Sequence, residues 1–459
     1  VLRRAVDVRP SELTALVGSF VYFYFALASW FVLRPMRDTV AASIGSTELS
    51  VLWIGTLGTM LVANAVFSAV VVRLPPRKFI PYAYHTIALS LVVFYFAFRT
   101  YGAAEGSVSD LRMEKAFYVW TSVFNLFVTS LFWCFMADVF RSDQAKRLFG
   151  FIGVGGTLGS ITGSAATAAL ARALGPANLL LVSVVLLEIA VLAVMRFPRI
   201  EARGAAGTAG AVGADGAAGA PIAVPGPATE ALGGRAIDGF TNVVRSPYLT
   251  GIAVFLALFT FGSTFLYFEQ SAIVGAVYPD RASRTEVLAQ IELAVQVLTV
   301  VTQIFFTGRI IRWFGLVTGL AFLPALSIVG FGAIGAMPTF AAVAAFVVLR
   351  RAGNFALTNP SMEVLFTVVP REDKYKAKAF IETFVYRGGD QLGAWVFAGL
   401  IATGISHGAV AWLAVPISAG WLVLSVWLAR RQAALAAAHA GPGAGAAVNA
   451  VAPPRPAVP

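Results

Sequence analysis

A chain of 459 residues with 58% hydrophobic and only 12% charged residues is excluded from the ordinary soluble globular class, and its mean hydropathy is +0.79. The net charge of +11 would suggest nucleic acid in a soluble protein, but most basic residues lie in short loops between apolar runs. The expected partner is therefore the lipid bilayer and not nucleic acid.

Apolar runs long enough to cross a bilayer fall at 14–34, 50–72, 79–98, 117–139, 148–171 and 177–195, then at 248–268, 286–307, 314–335, 338–359, 379–402 and 409–429. They are too long and unbroken for barrel strands, so the expected fold is an all-α polytopic membrane protein of twelve transmembrane helices. The first run is long and is followed by many others, so no cleavable signal is expected. The stretch 197–246, with an Ala/Gly/Pro-rich middle at 204–234, reads as a flexible cytoplasmic linker. It divides the chain into halves at 1–196 and 247–432, with a disordered tail at 433–459.

Loop charge gives the orientation. With a cytoplasmic amino terminus, inner loops and tails carry 23 of the 34 Lys/Arg residues, outer segments 8, and three lie inside spans. This positive-inside pattern predicts a bacterial inner-membrane protein with both termini cytoplasmic. The halves also repeat each other. Ala69-x3-Arg73-x2-Pro76 follows the second span and Gly308-x3-Arg312-x2-Gly315 follows the eighth. Ala145-Lys146 leads to Gly156, and Ala377-Lys378 leads to Gly388, at one spacing. Parallel six-helix repeats are the organisation of the major facilitator fold. Its inner-loop aspartate is replaced by Arg73 and Arg312.

Ionisable residues at bilayer depth each cost roughly 2.5–3.5 kcal/mol on insertion scales, so their placement is informative. The third, ninth and twelfth runs carry none and the sixth only Glu188; these would be the peripheral helices. Charge collects on the first run (Arg34, Arg37, Asp38), the eighth (Glu292), the tenth (Arg350, Arg351) and the eleventh (Glu382, Arg387, Asp390). On a helix Trp30, Arg34, Arg37 and Asp38 share one face around Pro35, as do Glu382, Tyr386 and Asp390. The adjacent Arg350 and Arg351 lie near mid-depth and point apart. One can bind an anion while the other pairs with Glu292 or Glu382. Asn125, Asn354 and Asn359 read as helix-to-helix contacts.

The glycine run 153–163 lacks the Lys-Ser/Thr of a phosphate-binding ATPase loop and follows no strand. Gly155, Gly159 and Gly163 instead permit close helix contact at four-residue spacing. The single cysteine, Cys134, permits no intramolecular disulfide and reads as a small buried hydrophobe. With one cysteine, three histidines and no nucleophile motif, the chain offers no metal or cofactor site, and an enzyme is disfavoured.

Three segments carry a family resemblance: YFALASWFVLRPMRD at 24–38, SLFWCFMAD at 130–138 with QAKRLFG at 144–150, and KAKAFIET at 376–383. They resemble the ATP/ADP translocase (NTP/NDP exchange transporter) family, and more its free-living bacterial relatives than its strict exchangers. The resemblance implies a facilitator-type fold and nucleotide exchange, with membrane-embedded basic residues holding phosphates. Arg34, Arg37, Lys146 and Lys378 match its motif positions.

The expectation is a secondary transporter, not an enzyme, that moves a small anionic organic solute by alternating access, with ATP/ADP as a candidate cargo and a monomer sufficient. Arg34, Arg37, Arg350, Arg351 and Arg387 are the candidate substrate-binding residues; Asp38, Glu292, Glu382 and Asp390 are the candidate coupling or ion-pair residues. The alternative is a proton-coupled carrier or exporter in which Glu292, Glu382 or Asp390 titrates.

Overall fold

The computed structural model describes residues 9, 12–71, 76–102, 106–140, 142–197, 238–370, 377–378 and 380–448. Among these every regular element is helical. The first half comprises Leu13–Ser43 (α1), Ser46–Val71 (α2), Pro76–Tyr101 (α3), Val108–Val139 (α4), Ser142–Leu174 (α5) and Pro176–Met195 (α6). The second comprises Asp238–Arg245 (α7), Pro247–Val277 (α8), Arg281–Thr302 (α9), Gly308–Ala336 (α10), Phe340–Gly353 (α11), Asn359–Leu365 (α12), Tyr386–Ala402 (α13) and His407–Val448 (α14). The fold is a polytopic all-α membrane protein.

Local chemistry sets the helix boundaries. Ser107, Asp280 and Thr339 accept the backbone N–H three residues on, capping α4, α9 and α11. Gly175 (φ 76°) turns the chain from α5 into Pro176 at the start of α6. The connection after the eighth run is itself helical. A wide π-type turn at Gln303–Thr307 carries α9 into α10, and the reversal comes at Gly315 (φ 73°), a conformation open to glycine. The corresponding turn after α2, with Arg73, lies outside the described residues.

Eleven helices among the described residues are long and apolar enough to cross a bilayer. The eleventh run, 379–402, departs from a plain helix: a π-type turn at Ile381–Val385 leaves α13 with 17 residues. Three further differences from the sequence reading have simple causes. The helix α4 starts at Val108, well before the apolar run at 117, because the Ser107 cap admits a polar first three turns. Part of the expected linker, Asp238–Arg245, is the short helix α7; its middle lies outside the described residues. The last helix continues through Val448, past the expected start of a disordered tail at 433, as an alanine-rich segment favours.

Packing repeats between the halves. The helix α1 packs on α5 as α8 packs on α13, and α3 packs on α6 as α10 packs on α14. Across the halves α5 meets α9, and α2 meets α13 in the equivalent position. This is a parallel two-fold repeat. The helices α3 and α6, and α10 and α14, form its flanking pairs.

The α1–α5 contact needs glycine. A Cβ on Gly155 would lie 2.7 Å from Phe20 O, and one on Gly159 or Gly163 would strike Tyr24 O or Ala28 O. One helix thus meets the other's backbone at successive turns, which is the packing role read from the spacing. Gly389 and Gly393 take a similar part between α13 and α8, against Thr260 and Thr264. Gly388, the repeat partner of Gly156, faces open space, whereas Gly156 lies against the Phe23 ring.

Candidate functional site

Three of the expected residues come together across the halves. Glu292 of α9 accepts two hydrogen bonds from the Arg351 guanidinium of α11, Nη1 to Oε2 at 2.7 Å and Nη2 to Oε1 at 3.1 Å. Arg34 of α1 approaches the same Oε2 through Nε at 3.3 Å, and Gln296 Nε2 donates to Oε1 at 2.9 Å. Glu292 is buried, 3% exposed, while the arginines keep 17% and 22% of their side chains exposed. The depths agree. Arg34 lies nine residues before the end of α1, and Glu292 and Arg351 each lie eleven after the start of α9 and α11. At 1.5 Å per residue all three sit about 14–17 Å from the distal end of the bundle, the end reached by the last turn of α1.

One turn nearer that end is a second inter-half cluster. Arg37 Nη2 donates to the buried Tyr118 hydroxyl at 3.0 Å and stacks over its ring at 4.6 Å. Trp53 Nε1 donates to the same hydroxyl at 2.9 Å, and the Tyr118 and Tyr267 hydroxyls are hydrogen bonded at 3.3 Å. Tyr267, from α8, donates to Asp38 Oδ1 at 3.1 Å. Arg37 and Asp38 are thus linked through two tyrosines, one from each half.

The remaining expected residues separate. Arg350 is 3% exposed and points away from Glu292 into the second half. It donates to Ser263 Oγ (2.7 Å), Phe259 O (3.0 Å) and Ser327 Oγ (3.4 Å), and lies over the Phe259 ring. Of the adjacent pair, Arg351 takes Glu292 and Arg350 takes neutral oxygens. Glu382 pairs with neither arginine. It is half exposed and lies 3.6 Å from Lys378, which also holds Glu363 at 2.7 Å. Asp390 accepts a long hydrogen bond from Thr264 Oγ1 at 3.4 Å, and Arg387 lies over the Tyr386 ring. The Lys146 side chain lies outside the described residues.

The distal end also holds ion pairs that the sequence reading did not single out. Arg281, at the start of α9, contacts Asp110 Oδ2 at 2.6 Å and Glu114 Oε1 at 2.9 Å on α4. Arg172 pairs with Glu286 between α5 and α9. Thr39 and Thr285 hydroxyls meet at 2.9 Å, and Arg284 Nη1 donates to Ser43 Oγ at 3.0 Å. The signal for Asp110 and Glu114 was their i, i+4 spacing, hidden because both precede the apolar run at 117. Nothing in the sequence distinguishes Tyr118 or Tyr267 from the other ten tyrosines.

All these inter-half ion pairs and hydrogen bonds lie between mid-depth and the distal end. The arrangement can tie the halves together on one side and present guanidinium groups to an anion in the middle. Among the described residues no group of three or more His, Cys, Asp or Glu could hold a metal ion.

The chain aligns with the crystal structure of the nucleoside transporter NupG in a mutant form at TM-score 0.56 and 16% identity, covering 92% of this chain and 99% of that one. A bacterial homologue of the iron transporter ferroportin, in an inward-facing state, aligns at 0.58 and 11%, covering 90% and 98%. What is shared with these chains is the fold, an all-α polytopic bundle that covers nearly the whole of each.

The curated sequence relatives are more particular: they are ADP,ATP carrier proteins, in keeping with the ATP/ADP translocase resemblance of the motifs. ADP,ATP carrier protein 1 of Chlamydia pneumoniae is 24% identical over 212 residues, 42% of this chain and 41% of the carrier. ADP,ATP carrier protein 2 of the same organism is 26% identical over 219 residues, 42% and 40%. The chain thus matches about two-fifths of the length of these relatives. No family model matches the chain.

Proposed function

We propose that this chain is a secondary transporter of an anionic organic solute, with nucleotides among the candidate cargoes, working by alternating access in the bacterial inner membrane. The observation that carries the reading is the Arg34–Glu292–Arg351 triad: guanidiniums from opposite halves converge on one point at bilayer depth. Charges held there are costly and mark a pathway or a site by default. The ties at the distal end suit a state closed on that side, and their release would let the halves rock about the triad. The fold of known transporters and the partial likeness to ADP,ATP carriers support the same reading.

Exchange in reconstituted vesicles tests it. Vesicles loaded with an unlabelled anion should take up the labelled form faster than protein-free vesicles, and Arg351→Ala should abolish the uptake. Failure to exchange any nucleotide, phosphate ester or carboxylate would remove the proposal.

A further inference from the structure

Glu292 already occupies the position that a bound anion would take. Both its oxygens are in use: Oε2 faces Arg34 and Arg351, and Oε1 accepts from Arg351 and Gln296. An incoming carboxylate or phosphate must therefore either displace this side chain or bind beside it. In both cases Glu292 cancels part of the field that would hold the cargo.

The charge at this depth is small. At the triad the guanidiniums of Arg34 and Arg351 stand against the single carboxylate of Glu292, so two positive groups meet one negative one. One positive charge is left over. Arg350 is also buried on neutral oxygens, which keeps it from direct contact with a ligand between the halves. In a low-dielectric layer each further unbalanced charge on a ligand weakens binding steeply. A phosphate monoester carries about two negative charges near pH 7, and each added phosphate brings at least one more.

We propose that Glu292 sets the charge the site accepts: it is a tethered counter-anion that restricts the cargo to carboxylates or phosphates bearing about one or two negative charges. This rests on the anion-transporter reading above and narrows it, favouring a nucleoside monophosphate or a small carboxylate over a nucleoside triphosphate. The role of Glu292 is to set specificity through the two arginines.

Two ligand series on the purified full-length protein test this by calorimetric or thermal-shift affinity without magnesium. One series is adenosine, AMP, ADP and ATP; the other is acetate, succinate and citrate, so that phosphate and carboxylate chemistry are separated. The wild type should bind its preferred series best at one or two charges, with AMP at least tenfold tighter than ATP, or succinate at least tenfold tighter than citrate. Glu292→Gln adds one positive charge and should move the optimum one step up the series, improving ADP over AMP, or citrate over succinate, at least tenfold. Arg34→Gln removes one and should move it down; it also serves if Glu292→Gln is not recovered as monodisperse protein. Tightest wild-type binding of ATP or citrate, or an optimum indifferent to both substitutions, would overturn the inference and leave anion transport standing. Binding by no anion of either series would overturn both.

Discussion

Arg34 and Arg351, from opposite halves of the chain, share a single oxygen, Glu292 Oε2, at 3.3 and 2.7 Å. The carboxylate is what allows two like charges to sit together at bilayer depth, and so it joins the halves as well as the charges.

Removing it should therefore be expensive. Glu292→Ala leaves two converging guanidiniums with no anion between them, and breaking a buried ion pair on one side costs about 3–5 kcal/mol. The variant should unfold at a clearly lower temperature in detergent, and adding Arg351→Met should recover part of the loss. Simple additivity of the two changes would show that the triad does not act as a unit.

The glycine seam separates packing from propensity. Gly159→Leu drives a side chain into the Tyr24 carbonyl and should cost at least about 1–3 kcal/mol. Gly388 has nothing within 4 Å of a built Cβ, so Gly388→Ala should be neutral or stabilise by about 0.5–1 kcal/mol. Thermal unfolding of both variants against wild type decides this, and equal destabilisation would contradict it.

The distal ion pairs should act as a latch. With Cys134 replaced by serine and a single cysteine placed at Ser43, beside the Arg284 contact, a membrane-impermeant thiol reagent reports opening of that end. Arg281→Ala, which removes the ion pairs to Asp110 and Glu114, should raise the labelling rate several-fold in the apo protein. An unchanged rate would mean that these pairs do not hold the halves closed.

Acid should weaken the tie between the start of α1 and α5. Glu12 accepts the Arg9 N–H at 3.0 Å, Gln144 Nε2 at 2.9 Å and Arg147 Nη2 at 3.0 Å. Burial pushes its carboxyl upward, but these donors outweigh it and hold the carboxyl below its ordinary value. A lowered folded-state pKa contributes stability that is full above the unfolded-state value of about 4.3 and is lost as pH falls through the folded-state value. The stability gap between wild type and Glu12→Gln should thus be constant near neutrality and close in acid. A gap that persists far below pH 4 would contradict the assignment.

The sequence by itself determined the membrane class, the helical fold and the pairing of the halves. Those follow from run length, loop charge and repeated spacing, all local properties of the chain. It also identified Arg34, Glu292 and Arg351 as residues too costly to leave in a membrane without partners, and it read Gly155, Gly159 and Gly163 as packing. Only the tertiary structure decided who pairs with whom. Arg350 and Arg351 are adjacent and alike in sequence. The helical turn between them sends one into a cage of Ser263, Ser327 and Phe259 and the other onto Glu292. Arg281 and its two carboxylates lie about 170 residues apart in the chain, and no local pattern encodes a contact set by how α4 meets α9. The charges marked groups that need partners at bilayer depth; the crossing of the helices fixed which of them meet.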